Sequence, residues 1–263
     1  MSRTPKRLRS RAGASSRERI MVYGQDLVAD LLGQIGMGSM AFLALSGRLP
    51  SASEAAVFDA VCITLAEHGM TPMAIASRLT LLGAPESLQG AVAAGLLGMG
   101  NRFGGGAEAT AALLQRTLAR AAAGVDVTAL AERVVQEYTA EKKPLPGLGH
   151  HMHKPVDPRT AKLFDLAAQH GFRGRYVELM LALAEQVRVQ TGKDLPVNAT
   201  GAIGALCCEL GLPEEAPRGI AIIARSIGLV GHLIEEGRQP IAREIWERAE
   251  DEVNAGVFKG AEG

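Results

Sequence analysis

Gly147-Leu148-Gly149-His150-His151-Met152-His153-Lys154-Pro155-Val156-Asp157-Pro158-Arg159 is the segment on which the reading of this chain turns. Two glycines let backbone come close to whatever binds there. An imidazole, an ammonium and a guanidinium follow within ten residues. Pro144, Pro146, Pro155 and Pro158 stiffen the segment and bar it from being an ordinary helix. A rigid loop collecting these groups suits a substrate with a carbonyl or hydroxyl centre and several negative charges. The bland alternative is a proline-rich connecting loop with scattered charge.

On either side of this loop the pattern is helical, and no stretch sustains an alternation of two. Leu27, Leu31, Leu32, Ile35, Met40, Phe42 and Leu45 mark a helical region over 25–46, broken by glycines at 33, 36 and 38. Ser53-Glu54 opens a helix through 67, and Pro72 sits in the first turn of the next, toward Leu82. Further helices are predicted over 87–97, 108–123, 126–140, 158–170, 175–190, 200–210, 217–236 and 243–253. The fold class is therefore all-α, with ten or more helices joined by short connections.

Composition narrows the function. The 263 residues are 47% hydrophobic but only 4% aromatic, so the core must be aliphatic and alanine-rich. The formal charge of zero argues against a nucleic-acid partner. It hides an asymmetry: residues 1–20 hold seven Lys/Arg against Glu18 alone, leaving the rest near minus six. That stretch, 1–20, lacks an apolar core-forming pattern and is expected to be a disordered basic arm. It has no apolar signal region, although an organelle-targeting role stays open. No run of eighteen apolar residues free of charge appears, so no membrane span is expected. Cys62, Cys207 and Cys208 offer neither zinc spacing nor a disulfide framework, as in a reduced cytoplasmic protein. The histidines at 150, 151 and 153 lack a supporting carboxylate or cysteine pattern, so no metal is expected.

The loop resembles the Gly-x-Gly-His-x-x-x-Lys/Arg-x-x-Asp-Pro-Arg motif of the citrate synthase superfamily, and further segments resemble that superfamily in order. Tyr23-Gly24-Gln25-Asp26-Leu27 and Gly47-Arg48-Leu49-Pro50 look like its opening. Leu65-Ala66-Glu67-His68-Gly69 looks like its second histidine segment. Arg102 to Ala109 resembles its glycine-rich helix start, Asn198-Ala199-Thr200-Gly201 its Asn-Val-Asp, and Ala224 to His232 its closing arginine segment. The resemblance implies a large helical domain, 21–106 with 218–263, and a small one, 107–217. It also implies a substrate cleft between them and a homodimer or higher homo-oligomer.

The same resemblance implies chemistry on an acyl-CoA and a 2-oxo acid through an enol or enolate. It assigns His150 to the keto or hydroxyl oxygen and His68 to a second contact with the oxo-acid portion. It assigns Arg159, Arg225 and Arg243 to carboxylates, with Arg238 competing for the last position. Lys154, with Gly147 and Gly149, falls to the CoA moiety. Coenzyme A enters as part of the substrate, and no separate cofactor is expected.

Two departures refine this. Where citrate synthases carry the histidine of Leu-His-Gly-Gly, this chain has Phe103, which cannot donate a proton; Gly100 to Gly105 instead resembles the citryl-CoA lyase branch. The aspartate that both branches use on the carbon-bound proton falls at Thr200, whose hydroxyl is a poor base. Three explanations stay open: cleavage starts at the hydroxyl through His150, with water or another acid quenching the enolate; Glu67 or Glu108 replaces the aspartate; or the protein binds a CoA ester without turning it over. The leading expectation is a carbon–carbon lyase acting on citryl-CoA or a similar 3-hydroxyacyl-CoA. The alternatives are a non-catalytic acyl-CoA-binding homologue and a condensing enzyme with an unusual substrate.

Overall fold

A computed structural model describes residues 9–122, 124–149 and 156–258. Twelve α-helices make up nearly all of the described architecture: α1 (Met37–Ser46), α2 (Ala52–Ala66), α3 (Pro72–Gly83), α4 (Leu88–Leu97), α5 (Gly100–Gly104), α6 (Gly106–Ala119), α7 (Val127–Ala140), α8 (Pro158–Gln169), α9 (Arg175–Thr191), α10 (Ala199–Glu209), α11 (Ala216–Glu236) and α12 (Ala242–Phe258). The all-α expectation holds.

The beginning of the chain differs from the periodicity reading. β1 (Ala14–Ser15), β2 (Ile20–Val22) and β3 (Gln25–Asp26) form a small antiparallel sheet, so part of the basic arm is a paired edge strand. Region 25–46 is not one helix. A π-helical turn over Leu27–Leu31 follows β3, Leu32 is extended, Gly33 has φ +74°, and α1 begins only at Met37. Apolar residues at helical spacing are present there, but glycines at 33 and 36 break the hydrogen-bond ladder between them. The cap of α2 also lies two residues earlier than Ser53. Ser51 and Glu54 make a reciprocal capping box, which Arg48 reinforces by gripping the Glu54 carboxylate.

The core is aliphatic, as the composition requires. Its one close aromatic pair is Phe42 edge-on to Phe58, centroids 5.3 Å apart. α10 lies at its centre: Ala199 and every residue from Gly201 to Cys208 are buried, against α6, α8 and α9. A helix apolar all round belongs inside a protein rather than on its surface. α11 is long and apolar enough to cross a membrane by length and composition, yet it packs on α2, α3 and α4 and carries Arg218 and Arg225.

A second fixed point is ionic. Arg78 on α3, 1% exposed, donates to Glu236 at 2.6 Å and to Glu235, both at the end of α11. Glu236 also accepts the Ile241 and Ala242 amides that open α12. Arg78 thereby joins three helices.

The proline-rich loop is laced to the head of α10. Leu148 bridges Val197, Asn198 N–H donates to the Gly147 carbonyl at 2.9 Å, and Gly149 N–H donates to Pro196 at 2.8 Å. Asp157, fully buried, caps α8 by accepting Arg159 N–H at 3.0 Å and accepts Ala199 N–H from α10 at 3.1 Å. Burial opposes its ionisation, but the Arg159 guanidinium and these amides hold its pKa below the ordinary value. Gly147 has φ +82°, and a Cβ there would sit 2.7 Å from Gly201 Cα. Gly147→Ala should therefore cost about 2–5 kcal/mol of unfolding free energy in urea, from a left-handed alanine plus overpacking. Gly33→Ala, with φ +74° and open space around it, should cost only about 1–2 kcal/mol. Asp157 contributes stability that is present above about pH 4 and lost as the pH falls through its depressed native pKa. Asp157→Asn should lower stability at pH 7 and flatten the acid limb of a pH–stability curve; an unchanged limb would reject this role.

Candidate functional site

The loop and the head of α10 create one corner of the candidate site. Asn198 caps α10 through Oδ1, which accepts Gly201 N–H at 3.0 Å and the Thr200 hydroxyl at 2.8 Å. Its amide Nδ2 donates to the Gly149 carbonyl at 2.8 Å. Thr200 thus has its one proton committed to Asn198 and retains only acceptor capacity. It lies against the start of α6: a Cβ on Gly106 would stand 2.9 Å from Thr200 Oγ1. The glycine run 104–106 is what allows that approach.

Arg159 follows on α8, holding Asp157 with Nε at 3.0 Å and Nη2 at 2.8 Å. A fork paired with a buried carboxylate is fixed in orientation. It also borders a groove of about 400 Å³ between α2 and α8, with Ile63 and Thr64 opposite.

The second corner is where α2 meets α11. Glu67 ends α2 and accepts from Gly69 N–H and from His232 Nε2, the latter at 3.1 Å. His232 Nδ1 faces Arg78, which has only donors, at 2.9 Å from Nη2. That fixes the tautomer: Nδ1 accepts, and Nε2 carries the hydrogen given to Glu67. Burial pushes the Glu67 pKa up, but the bonds from His232 and Gly69 outweigh it and the net direction is down. Arg225, about two helical turns before His232, is half-buried, and that burial lowers its pKa against the pull of Glu67. Nothing among the described residues accepts a hydrogen bond from its guanidinium. A partly desolvated fork without an acceptor is poised to take a carboxylate.

Sequence reading and structure meet unevenly. Gly147, Gly149, Arg159 and Thr200 belong to one hydrogen-bonded unit. His68 is exposed on the segment after α2, next in sequence to Glu67. Phe103 on α5 is 48% exposed, one turn ahead of Gly106. Arg243 stands on the surface of α12, its side chain 69% exposed and 3.7 Å from Glu247. His150 and Lys154 lie outside the described residues. Of the carboxylates considered in place of an aspartate, Glu108 is bound by Arg218, with Nε at 2.7 Å, and Glu67 is bound by His232.

Sequence reasoning missed a basic groove beside the loop. Lys142, Lys143 and Lys193 line a hollow of about 500 Å³ with Leu145 and Leu195. Lys143 pairs with Glu141 at 2.7 Å, whereas Lys142 and Lys193 face no carboxylate among the described residues. The signal in the sequence was weak, because 142–145 and 193–195 lie some fifty residues apart and meet only where the loop and the head of α10 pair.

With this geometry in place, comparisons identify the lineage. The solved citryl-CoA lyase of Hydrogenobacter thermophilus superposes with a TM-score of 0.80 at 33% identity, covering 88% of this chain and 87% of that one. A probable ATP-citrate synthase of Dictyostelium discoideum is 28% identical over 70% of this chain and 31% of its own length. A citrate synthase of Deinococcus radiodurans is 27% identical over 81% of this chain and 55% of its own. The chain thus spans about a third to a half of the length of these two curated relatives. Residues 18–245 match the family described as citrate synthase, C-terminal domain. The chain, all-α in its described residues, belongs to the citrate synthase family.

Proposed function

We propose that the protein is a carbon–carbon lyase that cleaves citryl-CoA, or a similar 3-hydroxyacyl-CoA, to acetyl-CoA and a 2-oxo acid such as oxaloacetate. The observation that carries this reading is the near end-to-end likeness to the Hydrogenobacter citryl-CoA lyase, at 33% identity. The phenylalanine at 103, where a condensing enzyme would need a proton donor, points the same way.

In this reading Arg225 and Arg159 bind the substrate carboxylates, and His68 contacts the oxygen at the cleaved centre. His150 takes the proton of the tertiary hydroxyl as the carbon–carbon bond breaks. The bond's electron pair passes onto the alpha carbon and the thioester oxygen, forming the enolate of acetyl-CoA. The alpha carbon then takes a proton from water, and the hydroxide left behind takes back the proton held by His150. Thr200 positions that water as an acceptor, since its own hydrogen is held by Asn198. Phe103 shields the reacting carbon. The CoA moiety runs from Gly147 and Gly149 into the lysine groove, where Lys142 and Lys193 join Lys154 on the phosphates. The cleft between the 107–217 domain and the remainder closes over the ester. Arg243, exposed on α12, serves a second copy in a homodimer.

A second reading draws on one observation: the Thr200 proton is committed, and Glu67 and Glu108 are both engaged, so neither stands free to replace the missing aspartate. A binding protein that holds CoA esters intact would show the same arrangement.

The deciding assay supplies citryl-CoA and follows acetyl-CoA and oxaloacetate. Release of both is expected. His150→Ala should reduce the rate by about 10²–10⁴ while leaving the melting temperature in place. Arg225→Ala should raise KM by about 10- to 100-fold, with Arg225→Lys giving little rescue because the planar fork is lost. Tight CoA binding without product release would sink the lyase reading in favour of the binding protein.

A further inference from the structure

A cluster of positive charge that shares no residue with either corner of the site lies between α6 and α7. Arg116 and Arg120, one turn apart at the end of α6, and Arg133 from the middle of α7 line a groove of about 310 Å³. Its floor is apolar: Leu113, Leu130 and Val134 are buried core residues that reach it from both helices. Glu137 is the one carboxylate in its lining, so the groove carries an excess of two positive charges.

Those arginines contrast with the ones that the fold holds in ion pairs. Arg48, Arg159, Arg188 and Arg218 each grip a carboxylate within 3 Å. None of Arg116, Arg120 and Arg133 has a carboxylate within reach among the described residues, although Glu137 follows Arg133 by one turn. Like charges one turn apart on a helix repel, so Arg116 and Arg120 gain nothing from each other. The negative end of the α6 dipole accounts for those two. It does not account for Arg133, which stands in mid-helix.

We propose that this groove is a second ligand site, for a nucleoside phosphate, with phosphate oxygens on the three guanidiniums and the base on the apolar floor. Planar forks suit phosphate oxygens in pairs. The volume falls at the small end of ligand pockets, about 300–1,000 Å³, which fits a mononucleotide better than a larger cofactor. Tyr138 borders this groove on one side and the lysine groove on the other, so the two sites are neighbours without sharing a cation. The proposal stands whether or not the protein cleaves citryl-CoA.

Calorimetry on the full chain, with saturating CoA present to occupy the lysine groove, tests it with ADP as the probe. ADP should bind, and pyrophosphate should bind at least about tenfold more weakly because it leaves the floor empty. Arg116→Gln with Arg133→Gln should weaken ADP about tenfold or more, while Lys142→Ala with Lys193→Ala leaves it unchanged. Both arginines are exposed, and an unshifted melting curve confirms that the double variant is folded. No ADP binding to the parent chain, equal binding by the arginine variant, or equal affinity for pyrophosphate would each overturn the proposal.

Discussion

One buried carboxylate holds the candidate site together. Asp157 accepts the first amides of α8 and α10 and the Arg159 guanidinium at once, in a place with no exposure to water. Each acceptor position is filled, which is the condition under which a buried charge is tolerated rather than destabilising. Two helix heads, the Arg159 guanidinium and the glycine loop consequently share one fixed geometry. The partners of Asp157 also set the position of Asn198, and through it the orientation of Thr200 and the Gly149 carbonyl.

That geometry bears directly on the departure at Thr200. An aspartate at the head of α10 would bring negative charge near the Asn198 carbonyl and the start of α6. The threonine instead closes a local hydrogen bond and presents lone pairs toward the glycine-rich turn. In the lyase reading proposed above, the proton for carbon therefore comes from water and not from this side chain. The other corner is more strongly polarised: Arg78, fully buried, fixes His232, His232 fixes Glu67, and Glu67 stands beside the unbonded Arg225. This chain of contacts links the stability of the α3–α11–α12 junction to the orientation of groups facing the candidate substrate.

Much of this was legible in the residues. The order of glycine, histidine and arginine segments marked the family, and Asp157-Pro158 is a cap followed by a first-turn proline, which locates α8 from sequence alone. Pro72 did the same for α3. The reading failed where local chemistry overrode periodicity. Glycines at 33 and 36 interrupted an apolar pattern that otherwise looked like one helix, and the dual use of Glu54 moved the start of α2 to Ser51. The lysine and arginine grooves were invisible, because each gathers side chains from segments with no shared motif.

By itself the sequence determined the helical class, the aliphatic core and the family, since hydrophobic spacing, caps and an ordered set of functional residue types are local properties. Only the tertiary structure decided which charged groups are spent and which are available. Glu108 and Glu67 became partners of Arg218 and His232, Thr200 became a committed donor, and Arg225 was left half-buried without an acceptor among the described residues. The physical reason is that a hydrogen bond is settled by distance and orientation between residues far apart in the chain, and no pattern along the chain encodes those.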